Sequence, residues 1–138
     1  MKIFRNKNDK KNARIYLDYA ASTPVDKRVV LAMEPYWNEI YGNAGSHHKE
    51  GRDAKNALNN SRKVFADELK TQSENIIFTG SGTEANNIAI FGTIGELLDS
   101  GMKLQDMHVI TSKIEHPSVL DCFKNLETKG VDVTFFKL

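Results

Sequence analysis

The chain has 138 residues, 40% hydrophobic and 27% charged, which is the size and balance of one domain with a moderate core. Its 19 Lys plus Arg against 18 Asp plus Glu leave a formal charge of +1, so no broad field draws nucleic acid or anionic lipid, and any ligand must be held locally. The longest apolar stretch falls well short of a membrane span and the single cysteine, Cys122, excludes a disulfide framework; neither a membrane nor a nucleic-acid partner is expected, and a cytoplasmic location is.

Residues 1–14, MKIFRNKNDKKNAR, are basic but lack the apolar centre of a signal peptide. Nothing in them offsets the entropy of ordering, so they predict a disordered arm ahead of a domain at 15–138. Their Asp and Lys content, without Ser or Leu spacing, argues against a mitochondrial address. A short strand-like piece at 15–17 ends at Asp18 and meets the turn-forming series Ala20, Ala21, Ser22, Thr23, Pro24. Residues 25–34 read as a helix with Val29, Val30, Ala32 and Met33 inward, interrupted by Pro35 before the aromatic residues Tyr36, Trp37 and Tyr41. Those aromatics read as core rather than interface, because exposed patches of this kind are uncommon on monomers. The loop at 42–51, GNAGSHHKEG, precedes a second helix whose apolar positions Ala54, Ala57, Leu58, Val64, Phe65 and Leu69 follow helical spacing.

Three strand candidates follow, at 76–79, 108–111 and 131–136, separated by helices at about 84–99 and 117–128. Pro117 suits a first helical turn, and the helix it opens stops before Gly130. Alternating strand and helix predicts an α/β fold with a parallel sheet and ligands at the carboxyl ends of the strands. The third strand stops at Leu138, so a site at these ends is expected to be incomplete and the chain to be truncated.

The stretch at 79–87, TGSGTEANN, carries the strongest chemical signal. It lies between an apolar β-branched run and a helix, and the first amides of a helix have no internal partner and sit at the positive end of its dipole. Gly80 and Gly82 would let the backbone bend and approach a ligand. A phosphate fits there; a plain helix cap is the alternative. The segment lacks the Lys of a G-x-x-x-x-G-K-[ST] loop and the three-glycine spacing of a dinucleotide fingerprint, so no nucleoside triphosphate is expected. Cys122, alone and inside a helix, reads as packed rather than reactive, His116 before Pro117 reads by itself as an N-cap or surface residue, and no metal site is expected.

Four motifs now stand in order: YLDYAASTPVD at 16–26, GNAGSHHKEG at 42–51, FTGSGTEANN at 78–87 and EHPSVL at 115–120. On these the chain resembles the cysteine desulfurases of the NifS/IscS kind, pyridoxal-phosphate enzymes of the class V aminotransferase group. The resemblance covers nearly all of the chain from residue 15 onward, but only the N-terminal third or so of a family member. It implies the N-terminal part of the large domain of the PLP-dependent transferases (aspartate aminotransferase-like, fold type I), a mostly parallel sheet with flanking helices. It also implies pyridoxal 5′-phosphate as cofactor, L-cysteine as substrate, alanine as product, and sulfur passed to an acceptor protein for iron-sulfur cluster assembly or tRNA thiolation. A homodimer is implied for the full-length protein.

Carried over by motif, Gly82 and Thr83 match the family positions that bind the cofactor phosphate through backbone amides and the threonine hydroxyl. His116 matches the catalytic histidine that stacks on the pyridine ring and helps move protons, tasks that suit a flat imidazole titrating near neutral pH. Asn43 and His48 match a loop near the active-site entrance and the subunit contact. The chain departs from the family pattern with Ala44 for Pro, Gly45 for Ser, and Gly80-Ser81 for Ser-Gly, none of which removes a phosphate donor. Ser46-His47-His48-Lys49 imitates the S-x-H-K motif that supplies the cofactor-binding lysine, but the family lysine follows the phosphate turn and Lys49 precedes it. The Asp at the pyridinium nitrogen, the Gln at the ring oxygen and the mobile catalytic cysteine have no counterpart here, so the chain alone is expected to be inactive. A non-catalytic binding or dimerising piece, a selenocysteine lyase or another class V aminotransferase are the alternatives.

Overall fold

The computed structural model describes residues 15–137, so the arm expected at 1–14 lies outside the described residues. The chain forms two compact units, Met1–Phe65 and Ala66–Leu138.

In the first unit, α1 (Lys27–Met33) starts at Asp26, whose carboxylate accepts from the Arg28 backbone amide at 2.8 Å and from its guanidinium at 3.0 Å. The Arg28 side chain, and then its amide, hold the Asp26 carboxyl below the ordinary carboxylate value. Pro35 has no N–H to continue α1, so the chain restarts there as the short α2 (Pro35–Asn38). Three expectations fail in this unit. The strand-like piece at 15–17 joins no ladder, and α1 buries no residue, so Val29, Val30 and Met33 face solvent. Tyr36, Trp37 and Tyr41 are also exposed, 72% for Trp37, so they are not a core of this chain. Apolar spacing specifies a face; burying it requires a second layer.

The long helix α3 (Lys49–Leu69) begins inside the segment expected to be loop. His48 explains the early start: its Nδ1 lies 3.3 Å from the Gly51 amide, the acceptor position of an N-cap. The preceding turn is tightly closed by Asn43, whose Oδ1 accepts from Gly45 N at 2.9 Å and whose carbonyl accepts from Ser46 N at 2.9 Å. Gly42 and Gly51 are demanded by close backbone approach: a Cβ on Gly42 would strike the Glu50 carbonyl, and one on Gly51 the Ser46 carbonyl.

The second unit holds β1 (His108–Ser112) and β2 (Asp132–Phe136), paired in parallel from His108↔Asp132 to Ser112↔Phe136. The helix α4 (Gly82–Asp99) precedes β1, and α5 (Pro117–Thr128) crosses from β1 to β2. The core is Ile94 of α4, Leu126 of α5, Met107 and Val131, with Ile90, Phe91, Leu97, Leu104, Val109 and Val133 packed around it. Val109 and Val133 point to this core, while Ile110 and Phe136 on the other sheet face are exposed and Ser112 at the end of that face is buried. The α/β reading therefore holds, with its helices at 82–99 and 117–128.

The strand expected at 76–79 is absent. Ile76 has extended angles, φ −94° and ψ 115°, but residues 76–79 enter no ladder, and a strand exists only by pairing. Helix ends follow one rule three times. The amide two residues past each C-cap returns to the carbonyl five residues back: Thr71 to Ala66 at 2.9 Å, Met102 to Leu97 at 3.1 Å and Val131 to Leu126 at 3.1 Å. The left-handed residue between is Gly101 or Gly130 in two cases and Lys70, φ 53°, in the third.

Candidate cofactor-binding site

Ser81 caps α4 by accepting from the Glu84 amide at 3.1 Å, while the Glu84 carboxylate reaches back to the Gly80 amide at 2.7 Å. This reciprocal arrangement follows from S-x-x-E spacing. The first intrahelical bond runs from Ala85 N to the Ser81 carbonyl at 3.1 Å. Gly82 and Thr83 therefore carry first-turn amides with no intrahelical acceptor, at the positive end of an 18-residue dipole.

The turn achieves this without left-handed glycine. Gly101 and Gly130 are the glycines with positive φ among the described residues, so the bend does not require Gly80 or Gly82, contrary to the reading from sequence. A Cβ on Gly82 would meet nothing within 4 Å, so the helix end stands open to an incoming group. An amide pair, a neighbouring hydroxyl and an open approach fit a phosphate monoester. The Glu84 carboxylate on Gly80 is the opposing feature, placing one negative charge beside the seat.

His116 lies at the carboxyl end of β1, where Ser112 Oγ donates to Glu115 at 2.9 Å and Lys113 N extends the ladder to Phe136 O at 3.0 Å. It is the N-cap of α5, its Nδ1 accepting from Ser118 N at 3.1 Å. The capping role weighed for an isolated histidine is thus present, and it engages Nδ1. Because a backbone amide can only donate, Nδ1 is the unprotonated nitrogen and the neutral ring carries its proton on Nε2.

The two helix starts are tied together: Asn86 Nδ2 of α4 donates to Ser118 Oγ of α5 at 2.9 Å, and Ser118 Oγ lies 2.8 Å from His116 Nδ1. Sequence reading missed Asn86 and Ser118, although an Asn in the first turns of an otherwise apolar helix is a signal that it has a partner. A cleft of about 470 Å³ between α4 and α5 is lined by Thr83, Asn87, Phe91, Ser118 and Cys122 among others, with neither Gly82 nor His116 in its lining. It is a groove beside the helix starts that Thr83 and Ser118 share. Cys122 is buried and its Sγ donates to Ser118 O at 3.2 Å, the packed role expected of it. Lys49 is exposed and pairs with Asp53 at 3.8 Å. No grouping of His, Cys, Asp or Glu fit to hold a metal occurs among the described residues.

Known proteins agree with this architecture. A cysteine desulfurase from Methanosarcina thermophila is 43% identical over 124 residues, covering 90% of this chain and 30% of that protein. A mitosomal cysteine desulfurase from Trachipleistophora hominis is 42% identical over 127 residues, covering 91% of this chain and 28% of its own length. Among solved structures, a NifS-like protein superposes with a TM-score of 0.78 at 34% identity, over 88% of this chain and 32% of the other. A structure described as SspA in complex with cysteine superposes with a TM-score of 0.77 at 39% identity, over 88% of this chain and 33% of the other. The chain thus spans less than a third of the length of these curated relatives. The sequence profile of the family described as aminotransferase class-V matches residues 15–138, and the chain belongs to that family.

Proposed function

We propose that this chain supplies the phosphate seat and the ring-facing histidine of a pyridoxal 5′-phosphate enzyme that removes sulfur from L-cysteine, leaving alanine. The observation that carries the proposal is the Asn86–Ser118 bond, which sets the start of α4, with the free amides of Gly82 and Thr83, beside the start of α5, with His116. Gly82 and Thr83 hold the phosphate by their amides and the Thr83 hydroxyl. His116 offers a flat ring to the pyridine and, at Nε2, a group able to move a proton. When bound, the cofactor supplies the electron sink for chemistry on the amino acid. Cysteine is favoured as substrate by the desulfurase names of the relatives and by the cysteine bound in one solved neighbour.

The exposed Tyr36, Trp37 and Tyr41 support a protein contact of the kind a homodimer or a sulfur-acceptor protein would use. No helix among the described residues is long and apolar enough to cross a membrane, and we propose the cytoplasm as the working compartment.

The test is a chimera in which residues 15–137 replace the corresponding segment of a cysteine desulfurase relative. Thr83→Ala should weaken cofactor retention by about 1.5–3 kcal/mol, the contribution of a hydrogen bond to a charged group. Unchanged affinity in a titration would remove the phosphate-seat assignment.

A further inference from the structure

Asn86, a half-buried amide in the first turns of α4, does more than hold the two helix starts side by side. Its Nδ2 lies 2.9 Å from Ser118 Oγ, and that oxygen lies 2.8 Å from His116 Nδ1. The direction of each hydrogen bond follows from the fixed donors. The Ser118 amide can only donate, and at 3.1 Å it makes Nδ1 an acceptor. Nδ1 thus being an acceptor, the Ser118 hydroxyl proton also points to it. The hydroxyl oxygen is then free to accept, and Asn86 must present its NH₂ group to it. The whole relay runs one way, from α4 through Ser118 to the imidazole.

We propose that Asn86 is a positioning residue which, through Ser118, fixes His116 in the Nε2–H tautomer and holds its ring plane. This rests on the reading of His116 as the ring-facing histidine only for its purpose; the tautomer itself is a property of the chain without cofactor. A neutral histidine that must exchange a proton at one defined nitrogen needs the other nitrogen committed, and a bond from a neighbouring helix commits it more firmly than the N-cap alone. The proposal also explains why two separate helix starts are linked by side chains at this end of the sheet.

Chemistry distinguishes this relay from mere helix packing. Asn86→Asp is nearly isosteric, but an ionised carboxylate can only accept, so the Ser118 hydroxyl donates to it and the relay reverses. Ser118→Ala removes the relay, and Ser118→Thr keeps the hydroxyl. The measurement is the ¹⁵N chemical shift of the two His116 ring nitrogens in the 138-residue chain, read above the histidine titration range, with the urea-unfolded chain as reference. The wild type and Ser118→Thr should hold the Nε2–H tautomer more strongly than the unfolded chain. Asn86→Asp and Ser118→Ala should lower the ratio of Nε2–H to Nδ1–H roughly 3- to 10-fold, the size of one net hydrogen bond. The same ratio in wild type, Asn86→Asp and the unfolded chain would overturn the proposal. So would a fall in Ser118→Ala that Ser118→Thr shares, which would mark simple loss of packing. No cofactor enters this experiment, so its failure is separate from failure of the phosphate seat in the chimera.

Discussion

At the scale of single residues, chemistry is concentrated where a backbone group lacks a partner or a side chain cannot fit. Gly82 and Thr83 illustrate the first case: Ser81 and Glu84 satisfy the neighbouring amides and leave theirs without an intrahelical acceptor. Gly51 illustrates the second. A methyl group there would meet the Ser46 carbonyl, the Asn43 carbonyl at 2.7 Å and Ser46 Cβ at 2.8 Å. Two of those three atoms are backbone and cannot rotate away, so Gly51→Ala should destabilise the chain by about 1–3 kcal/mol, the cost of overpacking a closed turn. Urea unfolding checks this, and an unchanged midpoint would show that the turn is not closed as described. The motif GNAGSHHKEG is read in sequence as a loop near an entrance; the contacts give its end glycines a local physical reason that owes nothing to catalysis.

At the scale of elements, the ends of helices are where sequence and structure agree best. Pro117 opens α5 and Gly130 closes it, as their backbone preferences dictate. Gly130 has φ 96° and open space where a Cβ would stand, so Gly130→Ala should cost about 1 kcal/mol from backbone strain alone. Lys70 occupies the equivalent place after α3 at φ 53°, and Lys70→Gly should gain about 0.5–1 kcal/mol by relieving the same strain. Thermal unfolding of both variants should show opposite shifts; shifts of the same sign would contradict the shared cap. These helices were legible because caps and breakers are local. The strand expected at 76–79 was not, because Ile76, Ile77 and Phe78 have the composition of a strand whether or not a neighbour pairs with them. The inward face expected of α1 failed for the same reason: Val29, Val30 and Met33 have the spacing, but burial depends on what lies opposite. The segments at 78–87 and 115–120 were legible as motifs. The bond that relates them was not, because Asn86 and Ser118 are 32 residues apart.

For the molecule as a whole, the second unit is a coherent α/β piece whose parallel pair, crossover helix and small core place two helix starts together at one end of the sheet. The motifs of residues 78–87 and 115–120 fall at that end, which is where an open α/β sheet holds its ligands. Gly82 and Thr83 at the start of α4 and His116 at the start of α5 are the residues proposed here to hold the cofactor. The direct measurement uses the ¹⁵N-labelled 138-residue chain and pyridoxine 5′-phosphate, which lacks the aldehyde and so cannot react with exposed lysines such as Lys49. Titration should shift the Gly82 and Thr83 amides and the His116 ring nitrogens together, while pyridoxine without the phosphate leaves the two amides unmoved. If the amides of Gly82 and Thr83 do not respond to the phosphorylated ligand, or respond equally to the unphosphorylated one, the phosphate seat is not at the start of α4.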